Sequence, residues 1–236
     1  MKKQILWAIK TVANKAGYDI KYYHPYYDVL LKNYGIRTII DIGANDGQFA
    51  ADIHRRLPEA KIYSFEPLKD SYATLCKNMS EVKDFKAFNV ALGDVSGKME
   101  INRSSFSPSS SLLSMSGLHK TLYPKSAQNV KEEIAVKRLD DMANEIKIEG
   151  PLLVKMDVQG YEDKVIEGGK QMLQKAIIVI AETSFVSLYE KQPLFADIHA
   201  LMRSLGFSYR GNTEKHWNKN TGEPMYENAV FIKDAR

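Results

Sequence analysis

The sequence predicts an α/β fold: a mostly parallel, seven-stranded sheet with helices on both faces. Two observations predict it. From Tyr34 onward, short apolar runs alternate with segments of helical periodicity, the rhythm of βαβ units. The first run, Thr38–Ile42, ends in Asp41-Ile42-Gly43-Ala44-Asn45-Asp46-Gly47, a glycine-bearing turn at the strand end where open α/β sheets bind ligands.

Thr38–Ile42 reads as a buried strand. Gly47–Leu57 reads as a helix, because Phe49, Ala50, Ile53 and Leu57 share one face. Lys61–Phe65 is a second strand closed by Glu66-Pro67, Ser71–Met79 a helix, and Phe85–Ala91 a third strand. The middle of the chain breaks the rhythm. Lys98–Asn102 and Glu132–Arg138 read as an inserted hairpin, and the serine-rich Ser104–Ser116 as a mobile loop forming one wall of a pocket. The rhythm then returns with a strand at Leu152–Val158, a helix at Tyr161–Gln174 and a strand at Ala176–Thr183. A helix at Leu194–Leu205, a short strand at Phe207–Arg210 and a last strand at Glu227–Lys233 complete the series.

With 236 residues the chain suits one core rather than two. Residues 34–236 read as the domain and 1–33 as an N-terminal helical extension. In that extension Ile5, Ile9, Val12 and Ala16 recur at helical spacing among Lys2, Lys3, Lys10 and Lys15. This pattern fits a helix packed on the domain better than one lying on a membrane surface. The apolar run ends at Lys10 without a small-residue cleavage site, unlike a signal peptide. Cys76 is the single cysteine; it excludes an internal disulfide and fits a reducing, cytoplasmic setting. The net charge of +4 comes from scattered lysines and arginines, which gives no reason to expect a nucleic-acid partner.

The strand-end turn has the chemistry of a cofactor site. Gly43 lets the chain turn sharply, Gly47 permits close approach, and the following helix start offers free N–H groups. Asp41 sits at a buried strand end, where it needs partners: loop N–H groups or, through water, the ammonium group of a cofactor. Glu66 ends the next strand and can accept both hydroxyls of a ribose. Ala44, Asn45 and Pro67 belong to the same two loops. Asn89, Ala91 and Leu92, at the third strand end, are placed to meet an adenine, Asn89 by hydrogen bonding and the other two by apolar contact. An acid at the second strand end serves both nicotinamide dinucleotide and S-adenosylmethionine sites, but the four-residue spacing of Gly43 and Gly47 departs from G-x-G-x-x-G. No tyrosine is followed four residues later by lysine, which further disfavours a nicotinamide-dependent sugar-nucleotide enzyme.

Six segments resemble the FkbM family of S-adenosylmethionine-dependent methyltransferases, in family order: IDIGANDGQF (Ile40–Phe49), FEP (Phe65–Pro67), NVALGD (Asn89–Asp94), VKRLDDM (Val136–Met142), LLVKMDVQGYE (Leu152–Glu162) and AETSF with its following LY (Ala181–Tyr189). The resemblance spans roughly Tyr34–Lys233. It implies a Rossmann-like class I methyltransferase fold and methylation of a hydroxyl, often on a sugar or natural product.

In that fold the Asp41 and Glu182 strands flank the Lys155 strand, which places Asp41, Lys155, Asp157 and Glu182 together at the carboxyl edge. Lys155 and Asp157 share a strand face, and a lysine inside a buried strand needs an acid. Asp157 or Glu182 then serves as general base, or the two hold a Mg²⁺ ion that acidifies the hydroxyl. An ion network that only ties the strands together is the alternative. His24, His119 and His216 are weaker candidates for the base, and the tyrosines around His24 fit a lid or a staple for the N-terminal helix. A nucleic-acid methyltransferase is disfavoured by the absence of Asn-Pro-Pro-Tyr and Asp-Pro-Pro-Tyr, and a binding module without chemistry by the intact cofactor segments.

Overall fold

The structure is a computed structural model. It describes Val12 and residues 26–126 and 128–234. The chain divides into two compact units, Met1–Asn33 and Tyr34–Arg236. Of the first, the helix α1 (Tyr26–Asn33) is described; residues 22–25 of the tyrosine cluster, His24 among them, and most of the amphipathic repeat lie outside the described residues.

The strands of the second unit are β1 (Thr38–Ile42), β2 (Lys61–Phe65), β3 (Phe85–Phe88), β4 (Ala91–Leu92), β5 (Gly97–Ser104), β6 (Asn129–Lys137), β7 (Leu152–Met156), β8 (Ala176–Ser184), β9 (Phe207–Trp217) and β10 (Pro224–Lys233). Seven of them form the main sheet, in the order β3-β2-β1-β7-β8-β10-β9. Neighbours pair in parallel from β3 to β8, and β10 runs antiparallel to both β8 and β9. The helices are α2 (Gln48–Arg56), α3 (Lys69–Asn78), α4 (Gly117–Leu122), α5 (Glu162–Gly168), α6 (Lys170–Gln174) and α7 (Phe195–Ser204). Every residue of β1 and β7 is buried, as central parallel strands covered on both faces require. The core gathers Ile40, Ile42, Val154, Met156, Val179 and Phe231 with residues of the covering helices, among them Val165 and Met202.

Three elements depart from the sequence reading. The third strand stops at Phe88; β4 leaves the main sheet and pairs with β6. Together with β5, antiparallel to β6, it makes a separate three-stranded sheet, so the expected hairpin gained a strand. The helix expected over Tyr161–Gln174 is two, broken at Gly168-Gly169. A Cβ on Gly168 would stand 1.8 Å from the Gly93 carbonyl oxygen, so the close approach of this turn to the β4 end admits only glycine. β9 also continues to Trp217, held by its ladder with β10.

Candidate active site

The turn after β1 is shaped by two positive-φ glycines. Gly43 has φ 74°, and a Cβ there would lie 1.9 Å from the Asp157 carbonyl oxygen; side chains are excluded where β1 meets the end of β7. Gly47 has φ 91°, and its Cβ would lie 2.8 Å from Leu75 Cδ1, so it lets α2 pack against α3. Between them Asn45, with φ 46°, donates its backbone N–H to Glu66 Oε2 at 2.9 Å while Leu68 N–H donates to Oε1 at 2.8 Å. Burial pushes the Glu66 carboxyl up to about 7, against these two N–H bonds. Each carboxylate oxygen carries one backbone bond and keeps further acceptor capacity.

A cavity of about 370 Å³ opens here. Gly43-Ala44-Asn45, Glu66-Pro67 and Ala91-Leu92 line one part of it, and Lys155 and Asp157 another. Asp41, Gly47, Asn89 and Glu182 are not among its lining residues. Asn89, expected to meet an adenine, lies next to the lining residues Val90 and Ala91. Its amide nitrogen donates to the carbonyls of Glu66 and Pro67 at 2.9 and 2.8 Å, which fastens the Glu66 loop and leaves the amide oxygen as the acceptor.

The four charged residues expected at the carboxyl edge do come together. Asp41 and Lys155 are register partners on β1 and β7, with Lys155 Nζ 3.4 Å from Asp41 Oδ1 and 3.6 Å from Asp157 Oδ2. The ammonium also donates to the Gly43 carbonyl at 3.3 Å. Burial works against the Lys155 charge, but the Asp41 and Asp157 carboxylates outweigh it and hold its proton above lysine's ordinary range. Lys155 is thus a fixed cation and no proton acceptor. Burial pushes the Asp41 carboxyl up against the pull of Lys155.

Asp157 and Glu182 are linked by a residue the sequence reading left out. Gln159 Nε2 donates to Asp157 Oδ1 at 2.8 Å and to Glu182 Oε1 at 3.0 Å. Its Oε1 accepts from the Tyr189 hydroxyl at 2.8 Å, and its backbone carbonyl from Ser111 Oγ at 2.7 Å. The side chain is aimed by an unusual backbone, φ 56° at Gln159 and 96° at Gly160. Buried Glu162 sustains that turn, its Oε1 accepting the N–H groups of Val158 at 3.0 Å and Gly160 at 3.3 Å. Burial, then the Asp157 and Glu162 charges, push the Glu182 carboxyl well above its ordinary range. Of the two acids, Asp157 is the one that lines the cavity.

The serine-rich segment folds over this cavity. It contains a short 3₁₀ turn, Ser107–Ser109. Ser107 Oγ donates to Asn45 Oδ1 at 3.1 Å, the oxygen that also accepts from Ser71. Ser107, Ser110 and Ser111 line the cavity. His119 and His216 do not. His119 is buried between Tyr123 and Tyr189, its Nε2 3.0 Å from Ser126 Oγ, and burial lowers its pKa. His216 stacks on Tyr226, with 4.3 Å between ring centroids.

Residues 41–209 match the Methyltransferase FkbM domain. The chain belongs to the FkbM methyltransferase family. It is 33% identical over 171 residues to the 2-O-methyltransferase NoeI of Sinorhizobium fredii, covering 70% of each chain. It is 27% identical over 194 residues to the methyltransferase sdnD of Sordaria araneosa, covering 72% of this chain and 73% of that one. Among solved structures, the magnesium protoporphyrin IX methyltransferase of Synechocystis PCC 6803 with bound S-adenosylmethionine superposes with TM-score 0.50 at 10% identity, over 98% of this chain and 83% of that one. The sheet is that of a class I methyltransferase, and this FkbM protein is an S-adenosylmethionine-dependent methyltransferase.

The residues present suit that cofactor: a buried acid anchored by two N–H groups at one strand end, beside a glycine that no Cβ could replace. They do not suit Mg²⁺. Among the described residues no group of three or more His, Cys, Asp or Glu is arranged to hold a metal. Asp157 and Glu182 instead share one amide donor. The expected Mg²⁺ site at Asp157 and Glu182 thus finds no support among the described residues. No helix among the described residues is long and apolar enough to cross a membrane.

Proposed function

We propose that this methyltransferase methylates a hydroxyl oxygen, that of a sugar in a glycan, glycolipid or secondary metabolite. The observation that carries the reading is one cavity lined both by the Glu66 loop and by Asp157, an acid whose neighbours Lys155 and Gln159 offer it an ammonium and an N–H. The name of the Sinorhizobium relative, a 2-O-methyltransferase, agrees with oxygen as the acceptor atom.

In this reading Gly43, Ala44, Asn45, Glu66, Pro67, Ala91 and Leu92 hold the cofactor, with Glu66 accepting the ribose hydroxyls. Asp41 acts at one remove, by pairing with Lys155. When bound, S-adenosylmethionine supplies a methyl group on a sulfonium sulfur, which becomes a neutral thioether on transfer. Asp157 receives the proton that the acceptor hydroxyl gives up as its oxygen bonds the methyl carbon. Lys155, unable to accept a proton, orients Asp157 and balances the acids around it. Gln159 fixes the Asp157 carboxylate in the geometry that reaction requires. Glu182 supports Gln159 rather than acting as base. Residues 1–33 form an extension outside this domain, and the single cysteine fits a cytoplasmic enzyme.

The test is methyl transfer from labelled S-adenosylmethionine to a panel of glycans and glycosides, with the product hydroxyl located by mass spectrometry. Asp157→Asn keeps the size of the side chain and removes the proton acceptor. Turnover should fall about 10²–10⁴-fold with cofactor affinity within several-fold of wild type. Near-normal turnover in this variant would remove Asp157 from the chemistry and leave the charged cluster as a strand tie.

A further inference from the structure

Beyond β7 the same carboxyl edge continues onto β8, β10 and β9. Cross-strand register aligns Glu182, Asn228 and Glu214 in one row, and Ser184, Tyr226 and His216 in the next. Residues two apart on a strand share a face, so Asn228 and Tyr226 on β10, and Glu214 and His216 on β9, project to one side. Asn228 and Glu214 line the cavity. The Asn228 amide has no side-chain hydrogen bond among the described residues and is only partly buried. Glu214 is largely exposed and meets its neighbour His216 at 3.2 Å, and His216 stacks on Tyr226 with 12° between ring planes.

The charge of the whole cavity is one-sided. Among the described residues its charged lining consists of Glu66, Asp157 and Glu214 against Lys155 alone. Lys155 is committed to Asp41, Asp157 and the Gly43 carbonyl. No lining cation among the described residues is left to meet an anion.

We infer that the β9–β10 hairpin carries the acceptor subsite, where Glu214 and Asn228 bind the hydroxyls of a neutral, phosphate-free sugar beside the His216–Tyr226 stack. A carboxylate and a free amide together accept from and donate to adjacent hydroxyls. The His216–Tyr226 stack lies just outside the cavity lining, and the outer face of such a stack suits the C–H face of a pyranose. Clustered acids favour the cationic cofactor and repel a phosphate or sugar nucleotide. The inference rests on the sugar O-methyltransferase reading and adds to it the charge class of the acceptor and the residues that select it.

The test uses the full chain saturated with S-adenosylhomocysteine, with methyl β-D-glucopyranoside and glucose 6-phosphate compared by saturation-transfer NMR. Wild type should bind the neutral glycoside at least fivefold more tightly than the phosphate. Glu214→Lys, on an exposed strand position, should erase or reverse that preference, and His216→Ala should weaken the glycoside about fivefold or more. In all variants calorimetric affinity for S-adenosylhomocysteine should stay within twofold, which shows an intact fold and cofactor end. Equal binding of the two sugars by wild type, no sugar binding at all, or an unchanged preference in Glu214→Lys overturns the subsite. Failure of wild type to bind S-adenosylhomocysteine overturns the underlying site reading and this inference with it.

Discussion

Replacing Glu66 with glutamine tests the cofactor end at a single carboxyl. In the unliganded protein burial holds this group near pKa 7, so at pH 6 it is mostly protonated. Ribose hydroxyls donate to it best when it is ionised, so binding must release that proton, and the affinity penalty is the factor 1 + 10^(pKa − pH). For wild type this is roughly 11 at pH 6 and roughly 1.1 at pH 8, about a tenfold gain in affinity between them. The substituted amide cannot ionise, and its nitrogen opposes one of the two N–H groups that the carboxylate accepts, those of Asn45 and Leu68. An N–H left without an acceptor and a lost charged bond together cost on the order of 1–3 kcal/mol. Calorimetry with S-adenosylhomocysteine at pH 6, 7 and 8 should show a tenfold rise for wild type, and for Glu66→Gln a weaker, flat profile. A flat wild-type profile, or a variant that keeps the slope, refutes the assignment of the titrating group to Glu66.

Three other outcomes follow from the same cluster. Burial holds Glu162, like Glu66, near 7, above the unfolded value, so the folded state binds the extra proton and stability falls as pH rises from about 4.5 to 7. Between pH 5.5 and 7 this amounts to about 1.6 kcal/mol per carboxyl, or roughly 3–6 °C in Tm; melting curves of the unliganded protein should show the drop, and Glu162→Gln should remove its share, while His119, shifted the opposite way, works against it. Gln159→Leu cuts the tie between Asp157 and Glu182 and should lower kcat about tenfold or more with little change in cofactor affinity; unchanged kcat would reduce Gln159 to packing. The backbone of Ser104–Ser116 should exchange hydrogen faster without ligands than with cofactor and acceptor together, and equal protection in both states would mark it as a static wall.

The centre of the main sheet was legible because β1 and β7 are covered on both faces, so they appear as short apolar runs broken only by Thr38 and the Asp41–Lys155 pair. The site was legible where backbone geometry demands particular residues, as at Gly43 and Gly47, or where an acid ends a strand, as at Glu66. What escaped depends on long-range pairing. Phe85–Leu92 is one continuous β-like string, and only the partner β6 draws Ala91-Leu92 away from the sheet. Gly211 and the polar residues after it look like a loop, and the ladder with β10 makes them strand. Asn89 had the right place for a ligand, but two carbonyls 22 and 23 positions back claim its amide. Gln159 looked like an ordinary turn residue. Its one local signal was the Gln-Gly step directly after an acid-bearing strand, and its partners come from the end of β7, from β8 and from two separate loops.

Ala91 and Leu92 belong to the small sheet, not the large one, and the serine-rich segment springs from β5 of that same small sheet. One body therefore carries part of the cavity wall at its root and the covering of the cavity at its tip. Any tilt of that body against the seven-stranded sheet alters both ends of the cavity together. If the body did tilt, binding of one reactant would change the opening left for the other.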